Sequence, residues 1–166
     1  LQRGGSLSII VLAALAVIAN TVQAQMYQYH RHHYATIVIK KFIPRDDPEK
    51  IGSFWVKELY RGYLAIQKKL NYVHVKVESL IAARSTAGSV REDDRIRYRE
   101  CFCWPVHGWN LLGDNLRFAA IGVLACFNRI DLFFAFILVP MNLALIALWF
   151  WQRQADRKFL AGAGMG

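Results

Sequence analysis

The chain has 166 residues, a formal net charge of +9 and 55% hydrophobic residues. Apolar residues gather at the two ends and charge lies between them, a distribution that excludes one uniform soluble domain and suits a basic surface beside anionic lipid headgroups. Nucleic acid is excluded as a partner because no recognition motif accompanies the charge, and three cysteines (Cys101, Cys103, Cys126) give no disulfide framework.

Residues 7–19 (LSIIVLAALAVIA) form the first apolar run, extended in helical register by Val22 and Ala24. Two readings compete. Arg3 before it and Val22-Gln23-Ala24 after it suit a secretory signal with a small-residue cleavage site, whereas retention in the chain suits a transmembrane helix. The latter is the reading adopted, for residues 1–25. The chain begins at Leu1, as a processed product or part of a longer polypeptide would.

A basic amphipathic segment, 26–112, follows. Tyr27, Tyr29 and Tyr34 with His30, Arg31, His32 and His33 make an aromatic and cationic collar where a helix leaves a bilayer. The readings are interfacial anchoring, a site for an anionic headgroup or phosphate, and a metal site. His30 and His33 share a helical face, but no sequence neighbour completes a ligand set. Lys40, Lys41 and Arg45 continue the basic run.

Asp46-Asp47-Pro48-Glu49 carries helix-start signals: an Asp cap, Pro at the first position and acid in the first turn. The spacing of Trp55, Leu59, Leu70, Val73, Val77 and Leu80 predicts an amphipathic helix over about 48–83, or a pair broken near Asn71, lying on a partner or the membrane surface. Residues 85–89 are a small linker, and 89–99 a short charged helix. There Asp93-Asp94 belongs to a salt-bridged face with Arg91, Arg95 and Arg97 rather than to a cation site. Trp104, Pro105, His107, Gly108 and Trp109 read as an interfacial turn.

The segment 113–151 reads as a transmembrane hairpin. Gly113-Asp114 starts a short span over 115–127, with Arg117 one turn inside and able to snorkel to headgroups. Residues 128–131 are a tight turn with Asp131 as the next cap. Then LFFAFILVPMNLALIALWFW, 132–151, runs for twenty residues without a charge, about 30 Å of helix and the thickness of a bilayer core. Pro140 should kink it, and Asn142 should seek a partner inside the bundle. Trp149, Phe150 and Trp151 close it before the basic tail, 152–166, with Arg153, Arg157 and Lys158.

The whole reads as an all-α integral membrane protein of about three transmembrane helices, the last two a hairpin, plus a long cytoplasmic amphipathic helical segment. The stretch 26–113 holds fifteen Lys and Arg against nine acids, which places it and the C-terminus in the cytoplasm and the N-terminus outside. Three helices alone would leave Asn20, Arg117 and Asn142 unsatisfied in lipid. Partners are therefore expected besides membrane lipids: a missing half, a second copy or a larger complex.

The order Ala-Asn-Thr-Val-Gln-Ala-Gln-Met-Tyr (19–27) with Arg31 and Tyr34, a basic helical insertion, Gly113-Asp114-Asn115-x-Arg117, then Asn128-Arg129-Ile130-Asp131-Leu132-Phe133 and a last span resembles the C-terminal half of membrane-embedded CDP-alcohol phosphatidyltransferases. The resemblance covers about 7–158. It implies a six-span fold, a part in phospholipid synthesis and an inner-membrane location in a bacterium. The family's signature, D-x2-D-G-x2-A-R-x8-G-x3-D-x3-D, holds divalent metal and the CDP pyrophosphate. No Asp-Gly dipeptide exists here, so no catalytic residue is carried over, no cofactor is expected in this chain, and a divalent metal would require an upstream half. Tyr27, Arg31, His32 and Arg117 are the candidates for lipid phosphate, because Arg forks suit phosphate oxygens. The competing readings are a non-catalytic accessory subunit of a respiratory or photosynthetic type of complex, and a metal or haem site built from the His and Cys residues.

Overall fold

In the computed structural model, which describes residues 3–38, 54–85 and 89–164, every regular element is a helix. Lys40, Lys41, Arg45 and the helix-start signals at 46–49 lie outside the described residues. In order come α1 (Arg3–Val38), α2 (Phe54–Leu70), α3 (Tyr72–Arg84), α4 (Glu92–Trp109), a 3-10 turn (Asn110–Leu112), α5 (Asp114–Cys126), α6 (Leu132–Leu138) and α7 (Pro140–Gly162). Two stretches, Ser8–Val38 and Leu132–Gly162, are long and apolar enough to cross a membrane. At 13 residues, about 20 Å, α5 is shorter than a bilayer core.

Two boundaries differ from expectation. The apolar run of α1 does not stop at the aromatic collar, because no Gly or Pro interrupts 6–38, and one helix carries both. The expected interfacial turn at Trp104–Trp109 is also helical. Pro105 lies inside α4 and removes one backbone donor, but Val106 and Trp109 on the following turn are buried, and that packing outweighs the lost bond.

The chain divides into two compact units, one of Leu1–Arg31 and Trp104–Trp151, the other of His32–Cys103 and Gln152–Gly166. The first has a core of Ala16, Met26, Trp109, Leu112, Ile137, Met141 and Leu148. Pro140 separates α6 from α7 at Val139, so carbonyls near the break lose helical donors. Side chains take their place. Gln23 Nε2 donates to the Ile137 carbonyl (3.1 Å) and to Asn142 Oδ1 (2.9 Å), while Asn142 Nδ2 donates to the Leu138 carbonyl (2.9 Å). Asn142 thus has the internal partner its position called for, and such bonds are what make a Pro break tolerable in an apolar phase.

In the second unit, α2 and α3 are separated at Asn71, whose side chain donates to the Gln67 carbonyl (3.0 Å). The core joins Val73, Val77, Leu80 and Ile81 of α3 to Tyr98 and Phe102 of α4 and to Ala155 and Phe159 of α7. Arg84 closes one end, with Nη2 donating to the Ala163 carbonyl (3.0 Å) and Nη1 lying 3.5 Å from Asp94. Asp94 is therefore a buried partner of Arg84, while Asp93, beside Arg91 at 3.6 Å, stays on the solvated face.

Candidate functional site

In the first unit the site begins at Tyr27 and Arg31, one helical turn apart. Arg31 Nη1 donates to the Tyr27 hydroxyl (2.7 Å), with its guanidinium carbon 5.7 Å from the ring centroid. The Tyr27 ring lies against Gly113, where a Cβ would stand 3.5 Å from Tyr27 Cζ and 3.0 Å from the Asn110 carbonyl. Gly113 starts α5 and offers no capping side chain. The first amides of α5 therefore lack a side-chain acceptor at the positive end of the helix dipole.

Arg117 stands one turn into α5. Helical side chains lean toward the N-terminus, and Nη1 reaches back to Asp114 Oδ1 (2.9 Å). Rather than snorkelling outward, Arg117 is only 6% exposed, and its Nε and Nη2 have no hydrogen-bond partner among the described residues. A buried, half-paired guanidinium is costly. Its unpaired edge is itself buried and carries two N–H groups in the fork that matches two oxygens of a phosphate.

Of the four phosphate candidates, three lie in this unit: Tyr27 and Arg31 bond directly, and Arg117 bonds to Asp114 rather than to either. His32 belongs to the second unit, where its ring lies edge-on to His33, 5.6 Å between centroids.

The second unit holds a polar cluster that no sequence motif announced. His74 (1% exposed) bonds through Nδ1 to Asp156 Oδ1 (2.7 Å), and its Nε2 faces the Tyr98 hydroxyl (3.2 Å). Gln152 Nε2 lies 3.3 Å from Asp156 Oδ1 and 3.4 Å from His74 Nδ1. With the carboxylate accepting from Nδ1–H, the ring offers no lone pair there, so the Gln152 amide donates to Asp156 and Nε2 accepts from Tyr98. Glu78 Oε1 stands 3.2 Å from His33 Nδ1 and 3.8 Å from His74 Nε2. Four helices thereby share one network. With Tyr98, His74 and Asp156 all buried, it holds those helices together, while Glu78 and His33 at its edge are partly exposed.

These contacts also place the metal candidates. His30, fully buried, stacks on Trp109 at 4.7 Å, and His33 pairs with Glu78. Cys101, Cys103 and Cys126 form no disulfide, and burial pushes the Cys101 thiol up from its ordinary pKa. Among the described residues no group of three His, Cys, Asp or Glu is arranged to hold a metal ion.

Comparison of the chain with family models, curated proteins and solved structures finds no match.

Proposed function

We propose that this chain is an integral membrane protein of phospholipid chemistry that holds a phospholipid phosphate at the start of α5. It corresponds in kind to the rear half of a CDP-alcohol phosphatidyltransferase and is not catalytic alone. The N-terminus lies outside and the C-terminus in the cytoplasm, with the bacterial inner membrane as the setting. One observation carries the reading: Arg117 is 6% exposed yet keeps Nε and Nη2 unpartnered beside an uncapped helix start. The exposed apolar side chains of α1, Ile9, Ile10, Val17 and Ile18 among them, support the membrane setting.

Two lipids with identical tails, phosphatidic acid and diacylglycerol, isolate the phosphate. Native mass spectrometry of the protein released from nanodiscs containing both should show retention of phosphatidic acid only. Arg117→Gln removes two charge-assisted bonds, each contributing roughly 1.5–3 kcal/mol, so retention should fall tenfold or more, while Arg117→Lys keeps charge without the fork and falls between. Equal retention of diacylglycerol, or an unaffected Arg117→Gln, refutes the site.

A second reading, an accessory subunit of a larger membrane complex, is favoured by an open groove between α5 and the α6–α7 stretch. It encloses about 590 Å³ and is lined by Leu116, Ala119, Ala120, Ala135, Phe136 and Pro140 among other apolar residues. Small residues let a partner helix approach closely. Intact mass and co-purification from native membranes separate the two. A mass near twice 19.0 kDa favours the transferase half, and one matching 166 residues with companion subunits favours the accessory role.

A further inference from the structure

Helix α2 turns its apolar side outward. Successive residues rotate by about 100°, so Trp55, Ile66 and Leu70 fall within about 60° of one another. They are 80%, 62% and 38% exposed. Burial falls on a different side of the same helix: Gln67 is buried, and Tyr60 and Leu64 are half-buried. A helix held by Gln67 while its Trp and Ile stay uncovered has an unused apolar face. In α3 the arrangement is reversed, since Val73, Val77, Leu80 and Ile81 are all buried.

Charge decides what covers that face. Four cations, Lys57, Arg61, Lys68 and Lys69, share α2 with one acid, Glu58. Arg61 pairs with Glu58 at 2.7 Å; in the last turn Lys69 flanks the apolar residues, about 40–100° from them, whereas Lys68 lies about 140–160° away. Phe54 and Trp55 sit at the first turn, both largely exposed. Aromatics, an aliphatic stripe and a flanking lysine on one short helix are what an anionic headgroup layer takes up: rings and aliphatics enter the acyl boundary while the lysine reaches phosphates.

We infer that α2 is an interfacial helix that docks on an anionic lipid surface through Trp55, Ile66 and Leu70, with Lys69 at the headgroups. The phosphate reading of Arg117 is not needed for this. A single phospholipid held at α5 and a leaflet beneath α2 are separate contacts, and either can fail without the other.

The test is amide hydrogen exchange of the full chain in nanodiscs, read over 54–70. Discs containing phosphatidylglycerol should slow exchange of this stretch about fivefold relative to phosphatidylcholine discs. Each Lys near an anionic surface contributes about fivefold, the equivalent of about 1 kcal/mol, so Lys69→Glu should remove most of that protection, as should high salt. Trp55→Ser with Ile66→Ser should remove it too. Because both side chains are exposed, exchange at the buried α3 amides reports whether the variants stay folded. The inference is overturned by equal exchange in the two kinds of disc, by protection that persists both in Lys69→Glu and in Trp55→Ser with Ile66→Ser, or by equal protection in neutral detergent with copies cross-linking through α2, which would make the cover a second copy of the chain.

Discussion

Replacing Asp156 by Ala tests whether the buried network of the second unit holds its helices together. The carboxylate is 2% exposed and accepts from His74 Nδ1 at 2.7 Å and from Gln152 Nε2 at 3.3 Å. Removing it leaves a buried imidazole N–H and a buried amide without their acceptor. Breaking a buried pair in this one-sided way costs about 3–5 kcal/mol, and about 1 kcal/mol shifts the melting point of a chain this size by roughly 2–4 °C. Asp156→Ala should therefore melt at least 6 °C lower in detergent. Asp93→Ala, at an exposed carboxylate 3.6 Å from Arg91, should stay within about 0.5 kcal/mol of the parent. The pairwise nature of the effect is checked by a cycle with His74→Phe, which replaces the imidazole by a ring suited to Phe102, 5.3 Å away between centroids. With neither polar partner left, the double variant should cost clearly less than the sum of the singles. An Asp156→Ala melt within 1 °C of the parent, or strict additivity in the cycle, refutes the account.

Other positions in the fold give predictions of either sign. Gln23→Leu removes the donor to the Ile137 carbonyl and Asn142 at the Pro140 break and should lower stability by about 1 kcal/mol, the scale of interhelical bonds in membranes, as measured by unfolding in mixed micelles. Gly108→Ala should destabilise by about 1–3 kcal/mol, because a Cβ there would meet Leu148 Cδ2 at 2.8 Å and Trp151 Cζ3 at 3.0 Å. Gly122→Ala, on a helix with open space around it, should instead stabilise by about 0.5–1 kcal/mol, and equal effects in the same melts would contradict this. Burial raises the Cys101 thiol above its ordinary pKa despite Lys158 and Arg97 nearby, so less thiolate is present at any given pH. Its alkylation profile, followed by mass spectrometry in a Cys103→Ser, Cys126→Ser chain, should lie at higher pH in the folded than in the denatured protein. A profile at equal or lower pH would count against the burial argument.

What the sequence disclosed follows from the range of each signal. A charge-free run such as 132–151 is a local property, and so is a break at Pro140 or Asn71; all three can be seen without knowing any neighbour. The need of Asn142 for a partner was equally visible, but its identity was not, because Gln23 lies 119 positions away. The same limit hid the polar network: His74 and Asp156 are 82 positions apart, and each alone is a polar residue on a mixed helix. Only the paired spacings His74/Glu78 and Gln152/Asp156, each placing two polar groups on one helical face, hinted that both helices turn a polar edge to something. Local signals also misled. Trp104-Pro105 reads as a turn because Pro ends isolated helices, yet the burial of Val106 and Trp109 carries α4 through it. Arg117 sits where a snorkelling side chain is expected, yet it is buried, with Nη1 reaching back to the exposed Asp114 one turn earlier. That last reversal bears on function. A snorkelling arginine would spread its charge over any passing headgroup, whereas under the proposed phosphate reading one buried with two unpaired nitrogens would select a ligand with oxygens placed for the fork.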